Sequence, residues 1–344
     1  MIDVKWDQLK AFLPDLLMAA GMSEDNAGVM ADVYLRATAR GVGHHDLYDL
    51  PERIKGLVEN RINPNPNIQP LSQFNAMESY RGDHGPGELC ATFITRRAML
   101  LADTYGIGLC TICDSNHYLA SAPYIEMAAE AGYLAILWTK GSPTLGAPGR
   151  TERVISSCPM GYATATDEEY NLVHDFCAAY ASYGTLLQKS KRGESVPSYW
   201  GVDKNGQPTS DPAQINTGTV APIGGHKGFG LAILAELLTG VLSQGQVIDE
   251  PHPITGMTGV ASQTVIVIKT GALMPEEQFR ARTGDMIRRM EARAPGLHLP
   301  GQGSARSRRA IENENRIHLE DRLVESLNEW ARKLDCPSML EIES

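Results

Sequence analysis

Seven residues, Gly224-Gly-His-Lys-Gly-Phe-Gly230, set four glycines around a His-Lys pair and lead into an apolar stretch ending at Leu242. Glycines at that density permit tight turns and let the main chain approach a ligand closely. Leu231, Ile233, Leu234, Leu237, Leu238 and Val241 recur at helical spacing, which predicts a buried helix. A loop opening a helix offers free N–H groups and the positive end of the helix dipole to an anion, and Lys227 adds a full charge. The spacing is neither the Walker pattern nor the dinucleotide fingerprint. A solvated loop and an anion or cofactor site both stay open.

A second chemical stretch is Arg40-Gly-Val-Gly-His-His-Asp-Leu-Tyr-Asp-Leu-Pro-Glu-Arg53. Histidine changes charge near neutral pH, so His44 and His45 after a helix end offer a general acid. A capped turn or a surface metal contact are the plainer readings. Asp114-Ser-Asn-His-Tyr118 is a polar cluster on a loop after a strand, where sites are commonly built. Asp175, where a strand passes into a helix, fits an N-cap. Cys110 and Cys113 have C-x-x-C spacing, but on a strand they face opposite sides. That predicts buried free thiols, and no second C-x-x-C completes a zinc site. Arg81-Gly-Asp-His-Gly-Pro-Gly-Glu88 lacks the third glycine of a dinucleotide fingerprint and more simply starts a helix.

The elements that must position these residues follow from periodicity. Residues 1–60 read as helical: Trp6, Leu9, Phe12 and Leu16 recur until Gly21, and Ser23 caps a second helix to about Arg40. Residues 60–71 are an Asn- and Pro-rich connector. Helix 88–105, strand 106–113, helix 122–131 and strand 133–138 give a β-α-β unit from the last three. Residues 144–160 look loop-like, and 264–268 form a fully buried strand. Helix 275–293 is predicted to turn Phe279, Met286 and Met290 to one side, Pro300-Gly-Gln-Gly-Ser breaks the chain, and helix 319–334 turns Leu323, Leu327, Trp330 and Leu334 inward.

At 344 residues there is room for two domains. A formal net charge of −10 argues against nucleic acid or an anionic membrane as the main partner. No apolar run reaches the ~20 residues of a membrane span, and no leader is evident, which together predict a cytoplasmic protein.

In register, the motifs Arg40-Gly-Val-Gly-His-His, Arg81-Gly-Asp, Ser115-Asn-His-Tyr, Thr139 to Pro143, Asp175-Phe-Cys-Ala, Gly225-His-Lys-Gly-Phe-Gly and Leu299-Pro-Gly-Gln resemble the malate/L-lactate dehydrogenase type 2 family. The resemblance spans nearly the whole chain. It implies an α/β fold with a large mixed sheet flanked by helices, a non-Rossmann nicotinamide site taking NAD or NADP, and a homodimer acting on a small molecule. It implies residues 1–121, joined by 300–344, as the substrate and dimerisation part, and 122–299 as the cofactor domain. By the same resemblance His45 is the proton donor and His117 a second catalytic or substrate-contacting residue. The cofactor is then held by Asp175, Phe176 and Cys177, by His226, Lys227 and Gly228, and by Pro300, Gly301 and Gln302, with Arg306, Arg308 and Arg309 able to meet a 2′-phosphate.

The chain departs from the family pattern at His44 (for Ser), Asp46 (for Gly), Asp49 (for a carboxylate-binding Arg), and Lys140 and Cys158 (for Asn). Reversing the charge at Asp49 implies altered substrate recognition, through Lys140 as a new carboxylate partner or through a cationic or polyhydroxy group facing Asp49. The competing readings are a binding homologue without chemistry and a metal-dependent lyase built on His44, His45 and Asp46.

Overall fold

A computed structural model describes residues 1–251 and 261–341. The chain opens with strand β1 (Ile2–Lys5), then α1 (Trp6–Ala19) and α2 (Glu24–Ala39), whose boundary is set as predicted by Gly21 at positive φ and by the Ser23 hydroxyl accepting from Asn26 N–H. Next come α3 (Leu50–Val58), β2 (Gln69–Phe74), β3 (Met77–Arg81), α4 (Gly87–Tyr105), β4 (Ile107–Ser115), α5 (Ala122–Glu130) and β5 (Tyr133–Lys140). The segment read as a loop carries two short strands, β6 (Leu145–Gly146) and β7 (Arg153–Ile155), before β8 (Met160–Thr164) and β9 (Leu172–Phe176). Then follow α6 (Tyr183–Lys191), β10 (Gly201–Val202), α7 (Pro212–Thr217), β11 (Thr219–Val220) and α8 (His226–Glu236), which runs into a π-helical turn at Leu237–Val241. After β12 (Ala261–Lys269) come α9 (Glu276–Arg293), α10 (Gln302–Glu314), β13 (Arg316–Leu319) and α11 (Asp321–Lys333).

The large sheet has seven strands in the order β2-β3-β4-β12-β5-β8-β9. Only β3 and β4 run parallel among its neighbours, so β3-α4-β4 is the adjacent βαβ crossover. The predicted unit β4-α5-β5 exists, but β12 is inserted between its strands, antiparallel to both. β12 is almost wholly buried there, which is why Val-Ile-Val-Ile reads as a continuous apolar run. Helices α4 and α5 cover the face of the sheet that carries Val265 and Val267, and the π turn lies on the other, Leu238 carbonyl accepting from the Thr264 hydroxyl at 2.8 Å.

Two apolar cores result. One gathers α1, α2, α4, α5, the start of β5 and the C-terminal elements; the other gathers Trp138, Leu145, Met160, Leu186, Ile215 and Ala232 with their neighbours.

Three sequence expectations are corrected here. The run after the glycine loop is helical but not buried: Ile233, Leu234, Leu237, Val241 and Leu242 are 44–54% exposed along one face. On α9 the buried residues are Gly284 and Ile287, while Met286 and Met290 face outward. The N-terminal region is not all helix, because β1 pairs with β13 across the length of the chain. The six cysteines are free thiols, as the strand geometry predicts for Cys110 and Cys113.

Candidate active site

The turn after α2 carries the first histidine. Leu47, fully buried, pins it, and the Thr38 hydroxyl accepts from Leu47 N–H at 3.2 Å. The buried Asp46 carboxylate accepts from Tyr48 N–H at 3.1 Å; burial pushes its pKa up to about 6 against that bond. From α6, Gln188 donates to Gly43 carbonyl at 2.6 Å. These anchors hold His45 at φ 54°, a left-handed conformation that few non-glycine residues adopt. Its Nδ1 lies 3.2 Å from Asp49 Oδ2. The carboxylate fixes the proton on Nδ1 and leaves Nε2 free for chemistry. Burial acts to raise the Asp49 pKa, but the hydrogen bond from His45 and its charge outweigh this and hold the carboxyl below its ordinary range. Asp49 is thus engaged by His45. The His44 ring sits 5.1 Å from that of His45, and burial, then His45, depress its pKa.

His117 follows β4. Asn116 anchors the loop by donating to His84 and Gly85 carbonyls at 2.9 and 3.1 Å. Arg53 donates to His117 carbonyl at 2.9 Å while its Nε meets Glu88 Oε1 at 3.0 Å, where Tyr34 hydroxyl also donates. The stretch rejected as a dinucleotide fingerprint therefore builds the support for His117. Its ring is centred 5.0 Å from that of His45. Nδ1 accepts from Leu119 N–H at 3.2 Å, so Nε2 carries the proton. Burial, reinforced by His45 and Arg53, depresses its pKa to about 3, leaving a neutral donor at pH 7.

Beside this pair opens a cleft of about 770 Å³. His44, His45, Asp175, Phe176, Cys177, Pro300 and Gly301 line it. Asp175 is a cap, but for a distant helix: its Oδ2 accepts from Ala122 N–H, the first residue of α5, at 3.0 Å. Burial raises its pKa. The glycine loop packs on the same turn, Ile223 N–H donating to Ala178 carbonyl at 2.9 Å. A Cβ on Gly228 would fall 2.5 Å from Ile223 carbonyl and 2.7 Å from Ala178 carbonyl, and one on Gly301 would fall 2.3 Å from Asn171 carbonyl. Neither α8 nor α10 has a side-chain cap at its N-terminus.

Other expected residues lie apart. His226 and Lys227 are exposed on the first turn of α8 and do not line the cleft. Gln302 turns away to Tyr170 and Glu291 at 3.2 and 3.0 Å, and Arg306 lines a separate groove with Glu168 and Glu169. Lys140 is fully buried, its ammonium held by Glu236 Oε1 at 2.6 Å and by Gln246 carbonyl. This geometry makes it half of an internal ion pair in place of an open carboxylate clamp. The three groups expected together in a metal lyase are not the ones that converge, since Asp46 is spent on its own turn; His45, Asp49 and His117 converge instead.

Sequence reasoning passed over Arg40, the one lysine or arginine lining the cleft among the described residues, whose side chain is 9% exposed and 3.5 Å from Glu126. It also passed over His174, lying between the tilted rings of Tyr162 and Phe176 at 5.4 and 4.6 Å, and the start of α6, where Ser182 and Thr185 line the cleft. The alternation Leu172-Val-His-Asp-Phe176 was a usable signal for His174; nothing local marked α6.

The sequence matches the malate/L-lactate dehydrogenase family model over residues 4–328. Malate/(S)-sulfolactate dehydrogenase of Methanothermus fervidus is 26% identical over 96% of this chain and 97% of its own. 2,3-Diketo-L-gulonate reductase of Salmonella heidelberg is 29% identical over 79% of this chain and 81% of its own. The solved sulfolactate dehydrogenase of Methanocaldococcus jannaschii superposes with a TM-score of 0.88 at 25% identity, covering 97% of this chain and 98% of that one. The chain belongs to the malate/L-lactate dehydrogenase family of oxidoreductases.

Proposed function

We infer that the protein transfers hydride between a nicotinamide dinucleotide, NAD or NADP, and the C=O or C=N carbon of a small carboxylated metabolite, a 2-hydroxy/2-keto acid or a cyclic imino acid. The carrying observation is the His45–Asp49 pair, which leaves Nε2 free, beside a neutral His117 whose ring centre is 5.0 Å away. The cleft fits the cofactor. One wall is backbone at Gly301, where a side chain would collide with Asn171 carbonyl, and the uncapped N-terminus of α10 beside it suits a phosphate. Phe176 and His174 offer an aromatic surface for a ring, and Asp175 to Cys177, Pro300 and Gly301 the rim. When bound, the nicotinamide supplies or accepts the hydride.

His45 gives a proton from Nε2 to the developing oxyanion or amine in reduction and takes it back in oxidation, and Asp49 stabilises the imidazolium between these events. His117 donates from Nε2 to the same oxygen or nitrogen and polarises it before hydride arrives. Lys140 is buried away from the cleft, so Arg40, which lines it beside Glu126, is the cation placed to meet the substrate carboxylate.

The same reading divides the chain into residues 1–121 with 300–344, serving substrate and dimer, and 122–299, serving cofactor. The second core supports it, while α5, the start of β5 and Ala163, Val173, Val265 and Val267 pack with the first. It also places the protein in the cytoplasm as a homodimer; no helix among the described residues is long and apolar enough to cross a membrane.

The test is turnover of 2-keto acids and cyclic imines with NADH and NADPH. His45→Gln is expected to lower kcat by ~10²–10⁴-fold, and Arg40→Gln to raise KM for carboxylated substrates with less change in kcat. Cofactor binding without turnover across the panel would replace this reading with that of a non-catalytic homologue.

A further inference from the structure

We propose that His45, Asp49 and His117 form a binding site for one divalent transition metal ion of the Zn²⁺ class. Each offers one ligand atom, and the three atoms lie within 4.8 Å of one another. Tetrahedral zinc with bonds of about 2.0–2.1 Å separates its ligands by about 3.3 Å. His45 Nδ1 and Asp49 Oδ2, 3.2 Å apart, already span such an edge. His117 has to close the remainder by rotating about its own side chain.

The donor set is one anion and two imidazoles, which suits a borderline metal over Mg²⁺ or Ca²⁺. Coordination through His45 Nδ1 moves the proton that Asp49 holds there to Nε2. His117 gives up one contact, the Leu119 N–H on Nδ1. The support beneath it stays, because Arg53 and Asn116 hold the backbone and not the ring. The site is partly open at all three residues, which leaves an entry path and room for water or a ligand oxygen in the remaining positions.

A metal ion on His45 Nδ1 takes the place of the proton that completes the imidazolium. A bound ion therefore prevents the imidazolium from forming and stops proton delivery. That consequence rests on the role given to His45 above; the binding itself does not.

The experiment is equilibrium dialysis of the intact protein against Zn²⁺, with Co²⁺ as the spectroscopic probe. One ion per chain is expected, with the visible bands of low-coordinate Co²⁺. Asp49→Asn and His117→Gln should each weaken binding by more than the roughly 10–100-fold that outer-shell changes cost. His318→Gln removes a surface His–carboxylate pair with Asp3 that has no second histidine, and should change nothing. Circular dichroism and melting of each variant check that it is folded, and His45→Gln serves if one is not. Absence of a saturable site, an octahedral aquo spectrum only, or binding unchanged in the Asp49 and His117 variants overturns the proposal. Turnover that continues with the site filled overturns only the role of His45.

Discussion

His45 and His117 are both imidazoles at van der Waals range, yet their surroundings divide the labour. His45 has a carboxylate on Nδ1; His117 has an N–H there and an arginine-held backbone, and burial keeps it neutral at pH 7. That asymmetry has a thermodynamic signature. In the unfolded chain His117 takes a proton near 6.5, in the folded protein only near 3. Between those values the unfolded state binds more protons, so stability rises with pH and is lost on acidification from 6.5 toward 3. Urea midpoints at pH 7 and pH 4.5 should therefore move less in His117→Gln than in the wild type; an equal shift would show that other groups carry the acid sensitivity. For Asp49 the sign is the usual one for a depressed carboxyl: its contribution is complete above its ordinary pKa and disappears only below it.

At the scale of elements, the glycine loop and the buried Arg53–Glu88 pair do different things. Gly228→Ala puts a methyl against two carbonyls, so the loop must move away from the turn after β9. The expected result is cofactor binding weakened by about tenfold or more, read by NADH fluorescence titration, with the melting temperature as control. Arg53→Met leaves Glu88, fully buried, without its cation and should destabilise by about 3–5 kcal/mol. The double variant with Glu88→Met should regain most of that in denaturant unfolding. How far such features were legible depended on local chemistry. The boundary of α1 and α2 was written in Gly21 and Ser23, and β12 in its apolar run. α10 was hidden because it has no buried residue and starts in Pro-Gly-Gln-Gly. β1 was hidden because four residues have too short a period, and its partner lies at the far end of the chain. Asp49 could be seen as a reversed charge, but its grip on His45 depends on a positive φ that a histidine does not announce. Lys140 could be read as a free cation only while Glu236, 96 residues on, was out of view.

Across the whole molecule, the apolar stripe of α8 and the π turn stands out, since a run of five such residues at 44–54% exposure is a surface that water does not favour. A second copy of the chain is the occupant that the homodimer reading supplies. Leu237→Glu should then halve the mass of the wild-type particle in sedimentation velocity; a wild type that sediments at 37.4 kDa removes the dimer. The cap that Asp175 provides to α5 reaches further still. This carboxylate lines the cleft and also fixes the start of the helix, where Ser121 meets Tyr118 at 2.6 Å and Tyr124 closes on Tyr118 carbonyl. Tyr118 is the neighbour of His117 in the chain. One hydrogen bond and one helix end thus connect the cleft wall to the loop that carries the second histidine. Under the proposed function this link predicts ordered addition, cofactor before metabolite, read from product-inhibition patterns; random-order patterns would remove it.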